Sequence, residues 1–353
     1  MRYLSLFSGI GGFELGIEQA YVETTTRGEK RGGEVNTETD QGERFLAAQG
    51  KDITDQEGQS SKHSGDEFDQ GQPSCVGYSE IDKYAVQIYQ KHFPNHINFG
   101  DITKINPSEL PDFDCLVGGF PCQAFSIAGK RRGFDDTRGT LFFDIARILK
   151  EKCPRLFVLE NVKGLLSHDN GRTFKVIITT LIELGYDLQW QVLNSKNHGV
   201  PQNRERVFII GNLGGTSRPQ VFPFVGTGEE DTRNVGEDVA YTIDANYHKG
   251  TNTLSKGRRS VVGTLRTHKY GQGFREVKSG LAPTIPARAR EDGSGQPVIN
   301  VDMRIRRLTP RECERLQSFP DDWTDSVSDT QRYKCLGNAV TVNVIRDIFR
   351  QIN

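Results

Sequence analysis

The sequence has no long apolar run and no paired cysteines. No stretch approaches the length of a membrane-spanning helix, and the opening residues MRYLSLFSGIGGFELG lack the layout of a signal peptide. The six cysteines stand singly, without a C-x-x-C pair, which disfavours a zinc ribbon or a redox motif and gives no reason to expect a metal site. We therefore expect an intracellular protein with reduced thiols.

The sequence also lacks a large excess of charge of either sign. The formal charge is −1, which gives no overall bias toward nucleic acid. Residues 22–74 carry 12 acidic and 6 basic side chains and few apolar ones, so the rest of the chain stands at +5. Because such a stretch cannot bury enough surface to offset its ordering entropy, we predict that 22–74 is a disordered acidic insertion.

A second segment, residues 245–290, is strongly basic. It holds ten Lys and Arg side chains against one acid, Glu276, with aromatic residues interleaved. This composition suits a surface that follows the phosphates of a duplex. A solvated surface with loops would show the same charge, so composition alone leaves both interpretations open.

Short apolar runs alternate with helical patterns from residue 3 to residue 211. The alternation predicts an α/β fold, with a mostly parallel sheet covered by helices on both faces. In such sheets ligands bind at the carboxyl ends of the strands. A length of 353 residues allows one large domain and a smaller one. The predicted strands are 3–7, 75–80, 114–119, 155–160 and 206–211, and the predicted helices are 13–20, 83–93, 141–151 and 174–185.

A glycine-rich turn, FSGIGGFELG, follows the first predicted strand. Gly9 and Gly11 allow the backbone to approach a ligand near a helix N-terminus. A dinucleotide fingerprint needs a third glycine where Glu14 stands, so a pyrophosphate is not supported. An adenosine-type ligand without phosphates, or a simple tight turn, remains open.

Acidic residues follow the next strands. Glu80 and Asp82 end the second strand, where a carboxylate can accept hydrogen bonds from ribose hydroxyls. Asp101, in GDIT, is placed to contact an adenine amino group. Either acid alone would also suit a helix cap or a surface charge.

Three further groups lie on loops at the same predicted edge. Cys122, after Pro121, is a candidate nucleophile, although most free cysteines are small buried residues, as Cys115 is expected to be. Glu160 ends the following strand, where burial would raise its pKa and allow it to donate a proton. In QNRERVFIIG, one of Arg204 and Arg206 is expected to pair with Glu160 and the other with a phosphate.

The C-terminal region returns to a regular pattern. Thr309 suits an N-cap, Pro310 the first helical position and Glu312 the third. The last residues, LGNAVTVNVIRDIFRQI, predict one closing helix with an apolar face.

Eight segments, taken in order, resemble the successive motifs of the DNA (cytosine-5-)-methyltransferase family. They cover nearly the whole chain except 22–74 and 212–303. The segments are FSGIGGFELG, YSEIDKYA, GDIT, GGFPCQAFS, LENVKGL, QNRERVFIIG, RLTPRECERLQSFP and GNAVTVNVI.

The resemblance implies a Rossmann-like S-adenosylmethionine-dependent methyltransferase fold with a second, smaller target-recognition domain. It implies a catalytic and cofactor-binding domain at 1–211, a recognition domain at 212–303 that contains the basic segment, and a return to the catalytic domain at 304–353. Double-stranded DNA would lie in the cleft between the domains. About fifty residues intervene between the first two motifs, where the family usually has a short connection.

Roles for the reactive residues follow from the same resemblance. Cys122 would attack C6 of a flipped-out cytosine, and Glu160 would hydrogen-bond to or protonate N3. Arg206 would hold the base and orient Glu160, while Arg204 would hold a phosphate. The closing helix, led by Gly337 and Asn338, would complete the cofactor pocket.

Ten positions match the family's S-adenosylmethionine-binding residues, and six are candidates for DNA contact. The cofactor positions are Phe7, Gly9, Gly11, Glu80, Ile81, Asp101, Ile102, Pro121, Asn338 and Val340. The DNA candidates are Gln202, Lys256, Arg258, Arg259, Arg266 and Lys269.

The resemblance also bears on partners and alternatives. It implies a monomer in the cytoplasm of a bacterium or a phage-infected host, near the nucleoid, with no membrane partner and with a restriction endonuclease as a possible companion. A tRNA cytosine methyltransferase shares the fold and chemistry, but PCQ and the basic segment disfavour it. A nicotinamide oxidoreductase is disfavoured by Glu14, and a catalytically silent DNA-binding regulator by the intact Cys122, Glu160 and Arg206.

Overall fold

A six-stranded sheet forms the centre of the larger part of the molecule. The computed structural model describes residues 1–30, 71–121, 141–214, 220–222, 224, 261–268, 271–276, 282–285, 297–301 and 304–352. The sheet contains β1 Arg2–Leu6, β2 Ser74–Ser79, β3 Cys115–Gly119, β4 Leu156–Val162, β5 Tyr186–Asn194 and β7 Glu205–Leu213. These strands lie in the order β2-β1-β3-β4-β7-β5, parallel from β2 through β4, with β7 antiparallel to both its neighbours.

Helices cover both faces of this sheet, as the alternation predicted. Successive strand residues point to opposite faces, so Leu116 packs in one apolar cluster and its neighbours Cys115 and Val117 pack in another. The helices are α1 Gly12–Lys30, α2 Lys83–His92, α3 Leu141–Lys152, α4 Arg172–Glu183, α5 Pro310–Leu316, α6 Asp329–Asn338 and α7 Val342–Ile352. No helix in the described ranges is long and apolar enough to span a bilayer.

The ends of the predicted acidic insertion are ordered. α1 continues through Lys30 and β2 begins at Ser74, whereas disorder was predicted from 22 to 74; residues 31–70 lie outside the described ranges. Glu23 accounts for part of the difference, because it pairs with Arg350 at 3.1 Å on the C-terminal helix. Composition could not show this tertiary contact.

The predicted closing helix is two helices. α6 ends at Asn338 and α7 begins at Val342, with Ala339 in an extended conformation at φ −66° and ψ 153°. Gly337 and Asn338 therefore end one helix rather than lead the last one. The predicted cap of α5 is confirmed: Thr309 and Glu312 form a capping box, with Pro310 at the first position.

A smaller four-stranded antiparallel sheet contains part of the basic segment. Its order is β12-β11-β8-β9, and it is made of β8 Val261–His268, β9 Gly271–Glu276, β11 Pro297–Val301 and β12 Arg304–Arg307. Because β12 pairs with β11, this sheet extends past the predicted boundary at 303. A short pair, β6 Gln202–Asn203 with β10 Ala282–Pro283, links the two parts of the chain.

A carboxylate is buried in α1. Glu14 is fully buried, and the Tyr89 hydroxyl donates to its Oε1 at 3.0 Å and lies 3.0 Å from His96 Nδ1. Burial raises the pKa of Glu14 to about 7. The residue that replaces the third glycine of a dinucleotide fingerprint thus points into the protein core, where no phosphate could reach it.

The pH dependence of stability should report on Glu14. The folded state keeps this proton above the pH at which the unfolded chain loses it, so the stabilisation is present at low pH and is lost as the pH rises toward 7. Between pH 5 and 7, the free energy of unfolding of the wild type should fall relative to Glu14→Gln by up to about 1.4 kcal/mol per pH unit. Denaturant titrations of both proteins across this range measure the difference, and parallel curves would contradict the expectation.

Candidate active site

The loop after β1 is shaped to approach a ligand closely. Phe7, Gly9 and Gly11 have positive φ values of 53°, 56° and 87°. A Cβ added at Gly9 would meet nothing within 4 Å, whereas one at Gly11 would lie 2.5 Å from the Phe93 ring. Gly11 is therefore required by packing, while Gly9 borders open space. A non-glycine residue such as Phe7 in this region of φ is uncommon and is concentrated at functional sites.

Glu80 joins this loop to the one after β2. Its Oε2 accepts from the Gly9 amide at 2.9 Å, and its Oε1 accepts from the amides of Ile81 and Asp82 at 2.8 Å each. Asn98 holds the Glu80 backbone, since its Nδ2 donates to the Glu80 carbonyl at 3.1 Å. Nothing in the sequence singles out Asn98 except its place two residues before GDIT.

The remaining cofactor candidates lie at the same edge of the sheet. Ile81 is 73% exposed beside Glu80, while the Ile102 side chain is buried in the core. Asp101 accepts from the Thr103 hydroxyl at 2.8 Å and its amide at 3.0 Å, and these hydrogen bonds lower the pKa of the Asp101 carboxyl. Asn338 is exposed, and Val340 is buried against the start of α1.

The surroundings of Gly9, Glu80 and Ile81 fit an adenosine-type cofactor. Open space at Gly9 borders a carboxylate, Glu80, and an exposed apolar side chain, Ile81. A carboxylate can accept from ribose hydroxyls, and an apolar side chain can cover an adenine ring. Residues 7–11, Glu80, Ile81 and Asp101 would hold the cofactor.

A buried ion pair lies on the neighbouring strands. Arg206 Nε on β7 is 2.9 Å from Glu160 Oε1 on β4, and both side chains are largely buried. Burial raises the pKa of Glu160, although the Arg206 and Arg204 charges oppose the shift. Next to it, Asn161 Nδ2 donates to the Phe120 carbonyl at 2.9 Å, which fixes the chain directly before Pro121. Cys122 itself lies outside the described residues.

Arg204 is buried, whereas a contact with a DNA phosphate requires an exposed side chain. It is 2% exposed, and its Nη2 donates to the carbonyls of Gly337 at 3.2 Å and Ala339 at 2.7 Å. Burial, followed by the Arg206 charge, lowers the pKa of Arg204 to about 9, which leaves it charged at neutral pH. The predicted phosphate role does not fit, because a buried guanidinium engaged with backbone cannot reach DNA.

Gln202 is also directed inward. It is fully buried where β6 pairs with β10, so its predicted contact with DNA does not fit this structure. Arg266 lies on β8 opposite Gly273. The other candidates for DNA contact lie outside the described residues: Lys256, Arg258, Arg259 and Lys269.

Trp323 is a supporting residue that sequence analysis missed. Its Nε1 donates to the Ile10 carbonyl at 2.9 Å, in the glycine-rich loop, and its ring stacks on His92 with centroids 3.5 Å apart. A lone tryptophan after SFPDD is a sequence signal, but only the fold brings residue 323 to residue 10.

Comparison with solved structures defines the class of fold. The Dnmt2 methyltransferase of S. pombe has a TM-score of 0.62 over 98% of this chain and 96% of that chain, at 18% identity. The two proteins share the fold of S-adenosylmethionine-dependent methyltransferases, which confirms the predicted fold class.

Sequence comparison defines the family. The model of the C-5 cytosine-specific DNA methylases matches residues 62–353. The chain is 46% identical over 282 residues to the Type II methyltransferase M.SsoII of Shigella sonnei, covering 79% of this chain and 74% of that protein. It is 40% identical over 361 residues to the Type II methyltransferase M.HhaI of Haemophilus parahaemolyticus, covering 99% and 93%.

The chain belongs to the C-5 cytosine-specific DNA methylase family. It is a DNA (cytosine-5-)-methyltransferase that uses S-adenosylmethionine, as the motifs predicted. Neither a nicotinamide oxidoreductase nor a non-enzymatic regulator fits this membership.

A single methyl group at Gly119 should disturb the buried pair. Gly119 lies beside Glu160 in the sheet, and a Cβ there would be 3.0 Å from Glu160 Oε2. Because Arg206 holds this carboxylate, it cannot move freely, and we expect Gly119→Ala to lower the single-turnover methylation rate about tenfold. Gly164→Ala is the matched control, since a Cβ there meets nothing within 4 Å. Equal rates for the two variants would contradict the expectation.

Proposed function

We propose that Cys122, Glu160 and Arg206 carry out cytosine methylation through a covalent adduct at C6. The observation that carries this proposal is the buried Glu160–Arg206 pair at 2.9 Å, next to the Asn161 hydrogen bond that holds Phe120 two residues before Cys122. A proton donor and a positively charged hydrogen-bond donor thus lie beside the chain that leads to the thiol. The family resemblance supplies the role of Cys122.

The chemistry requires each of these groups. C5 of cytosine is a weak nucleophile until the Cys122 thiolate forms an S–C6 bond and moves electron density to C5. Glu160, whose pKa is raised by burial, would protonate N3 and stabilise the resulting enamine. Arg206 would hold Glu160 in place and donate to the base.

The remaining steps restore the aromatic ring. When bound, S-adenosylmethionine would supply the methyl group to C5, with S-adenosylhomocysteine as the leaving group. A base then removes the C5 proton, the S–C6 bond breaks to release the thiolate and regenerate the C5–C6 double bond, and N3 returns its proton to the Glu160 carboxylate. Because C6 is covered inside a duplex, the cytosine must be flipped out, which costs a few kcal/mol.

The biological setting belongs to the same proposal. Similarity to Type II methyltransferases supports a site-specific enzyme that protects DNA from a restriction endonuclease without needing to contact it. We propose that it acts as a monomer on nucleoid or phage DNA in the cytoplasm. The predicted recognition segment 212–303, with the strand β12 that continues its sheet to Arg307, would read the target, and Lys256, Arg258, Arg259, Arg266 and Lys269 are the candidate contacts.

Trapping of the adduct tests the nucleophile. DNA that carries 5-fluorocytosine at the target cannot lose a proton from C5, so the enzyme should stay bound through its thiol. Bisulfite sequencing of a plasmid that carries the gene first identifies the site. The wild type should then form a complex that survives denaturation, and Cys122→Ser should not.

Cys153→Ser is the matched control for this trapping. Cys153 is an exposed free thiol at the end of α3, so its variant should methylate and form the adduct like the wild type. An adduct mapped by mass spectrometry to any cysteine other than Cys122 would disprove the assignment. Methylation of RNA but not DNA would overturn the choice of substrate.

The pH dependence of the reaction tests Glu160. The role requires the protonated carboxyl, so the contribution of Glu160 should be lost as the pH rises through its raised pKa. We expect Glu160→Gln to lower kcat by about 100-fold, because an amide can donate a hydrogen bond but not a proton. The variant should also lack the loss of kcat with rising pH that we expect of the wild type. An unchanged profile of kcat against pH would contradict the role.

A further inference from the structure

Arg204 meets the C-terminal end of a helix. Its Nη2 donates to the carbonyls of Gly337 and Ala339, at 3.2 and 2.7 Å. The last carbonyls of a helix have no partner within it, and a cation there is favoured by the helix dipole. The guanidinium therefore supplies donors where α6 ends and the chain turns toward α7.

The segment that Arg204 holds is the one that faces the cofactor loop. Val340 packs so closely against α1 that a Cβ at Gly12 would lie 2.7 Å from its Cγ2. Asn338 is exposed beside it. A displacement of the 337–341 backbone would thus also shift the loop that contains Gly9 and Gly11.

The backbone of Arg204 lies directly before β7, the strand that carries Arg206, and is hydrogen-bonded to the end of β5. The Ser195 amide donates to the Arg204 carbonyl at 3.0 Å, and the Arg204 amide donates to Asn194 Oδ1 at 3.1 Å. Two residues further on, Arg206 pairs with Glu160. The same short stretch of backbone thus supports the base side of the site and holds the cofactor side.

A second set of buried hydrogen bonds runs parallel to the first. Ser195 Oγ lies 2.8 Å from Thr341 Oγ1, which donates to Gln317 Oε1 at 2.7 Å. Gln317 Nε2 donates in turn to the Leu336 carbonyl at 3.0 Å. Fully paired polar networks of this kind specify one arrangement of the segments they join.

We propose that Arg204 is a positioning residue that sets segment 337–341 relative to the Glu160–Arg206 pair, and so controls cofactor affinity and the alignment of the methyl donor with the base. The proposal rests on the roles proposed above for Glu160 and Arg206, and on the match of Asn338 and Val340 to the family's cofactor-binding positions. It replaces the phosphate contact that the sequence suggested for Arg204.

Measurements of cofactor affinity and of DNA affinity distinguish a positioning role for Arg204 from a contact with a DNA phosphate. Arg204→Met removes the donors, and Arg204→Lys keeps a charge that can reach one carbonyl. Arg350→Met is the matched control, since Arg350 pairs with Glu23 away from the site. The readouts are the Kd for S-adenosylhomocysteine by calorimetry, kcat and KM for S-adenosylmethionine, and the salt dependence of DNA affinity.

Loss of positioning has a distinct signature. We expect Arg204→Met to raise the Kd for S-adenosylhomocysteine and the KM for S-adenosylmethionine about tenfold, with Arg204→Lys intermediate and Arg350→Met unchanged. The slope of DNA affinity against salt should stay the same. A slope reduced by about one phosphate contact with unchanged cofactor affinity would restore the phosphate role and overturn the proposal.

A loss of stability and a loss of catalysis can each be distinguished from a loss of cofactor affinity. A purely structural role would lower the Tm while leaving the Kd of the folded protein unchanged, and that outcome also overturns the proposal. If Arg204→Met does not fold, Arg204→Lys and Thr341→Val, which breaks the parallel network, carry the same binding test. Because S-adenosylhomocysteine binding needs no turnover, a failure of the Cys122 mechanism would appear in the trapping experiment and not here.

Discussion

A carboxylate and a guanidinium meet at 2.9 Å on adjacent strands, Glu160 on β4 and Arg206 on β7. Placing both charges in a largely buried position is costly, and such pairs often add little to stability compared with apolar residues of similar size. The proposed role of Glu160 would explain the presence of the pair, because a carboxyl whose pKa is raised beside a fixed positive charge can exchange a proton with cytosine and remain oriented. Much of the site is arranged around this pair.

The cofactor side is organised by a different carboxylate. The Glu80 carboxylate accepts three hydrogen bonds, from the backbone amides of Gly9, Ile81 and Asp82. These hydrogen bonds join the loops after the first two strands. Trp323 supports the same loop from a distant part of the chain through the Ile10 carbonyl. These contacts shape the loop for its ligand in advance, which reduces the ordering cost of binding.

The chain returns to this edge of the sheet after the smaller sheet. α7 packs closely on α1, since a Cβ added at Gly16 would lie 2.6 Å from the Cβ of Ile345. Arg204, Ser195 and Gln317 fix the link between α6 and α7. α7 and the link before it thus pack against α1, next to the loop that follows β1.

Five of the six strands of the central sheet, the capping box at Thr309 and the set of chemical groups could be predicted from the sequence, since these depend on local periodicity and on residue types. The directions of several side chains depend instead on tertiary contacts. Arg204 turns inward because the carbonyls at the end of α6 need donors, and Glu14 turns inward because Tyr89 can pair with it. β5 was not predicted, because YDLQWQV alternates apolar and polar residues and holds no continuous apolar run; its Gln189 is buried because it accepts hydrogen bonds from the amides of Val221 and Phe222. In each case the deciding partner lies far along the chain, where a local pattern carries no information about it.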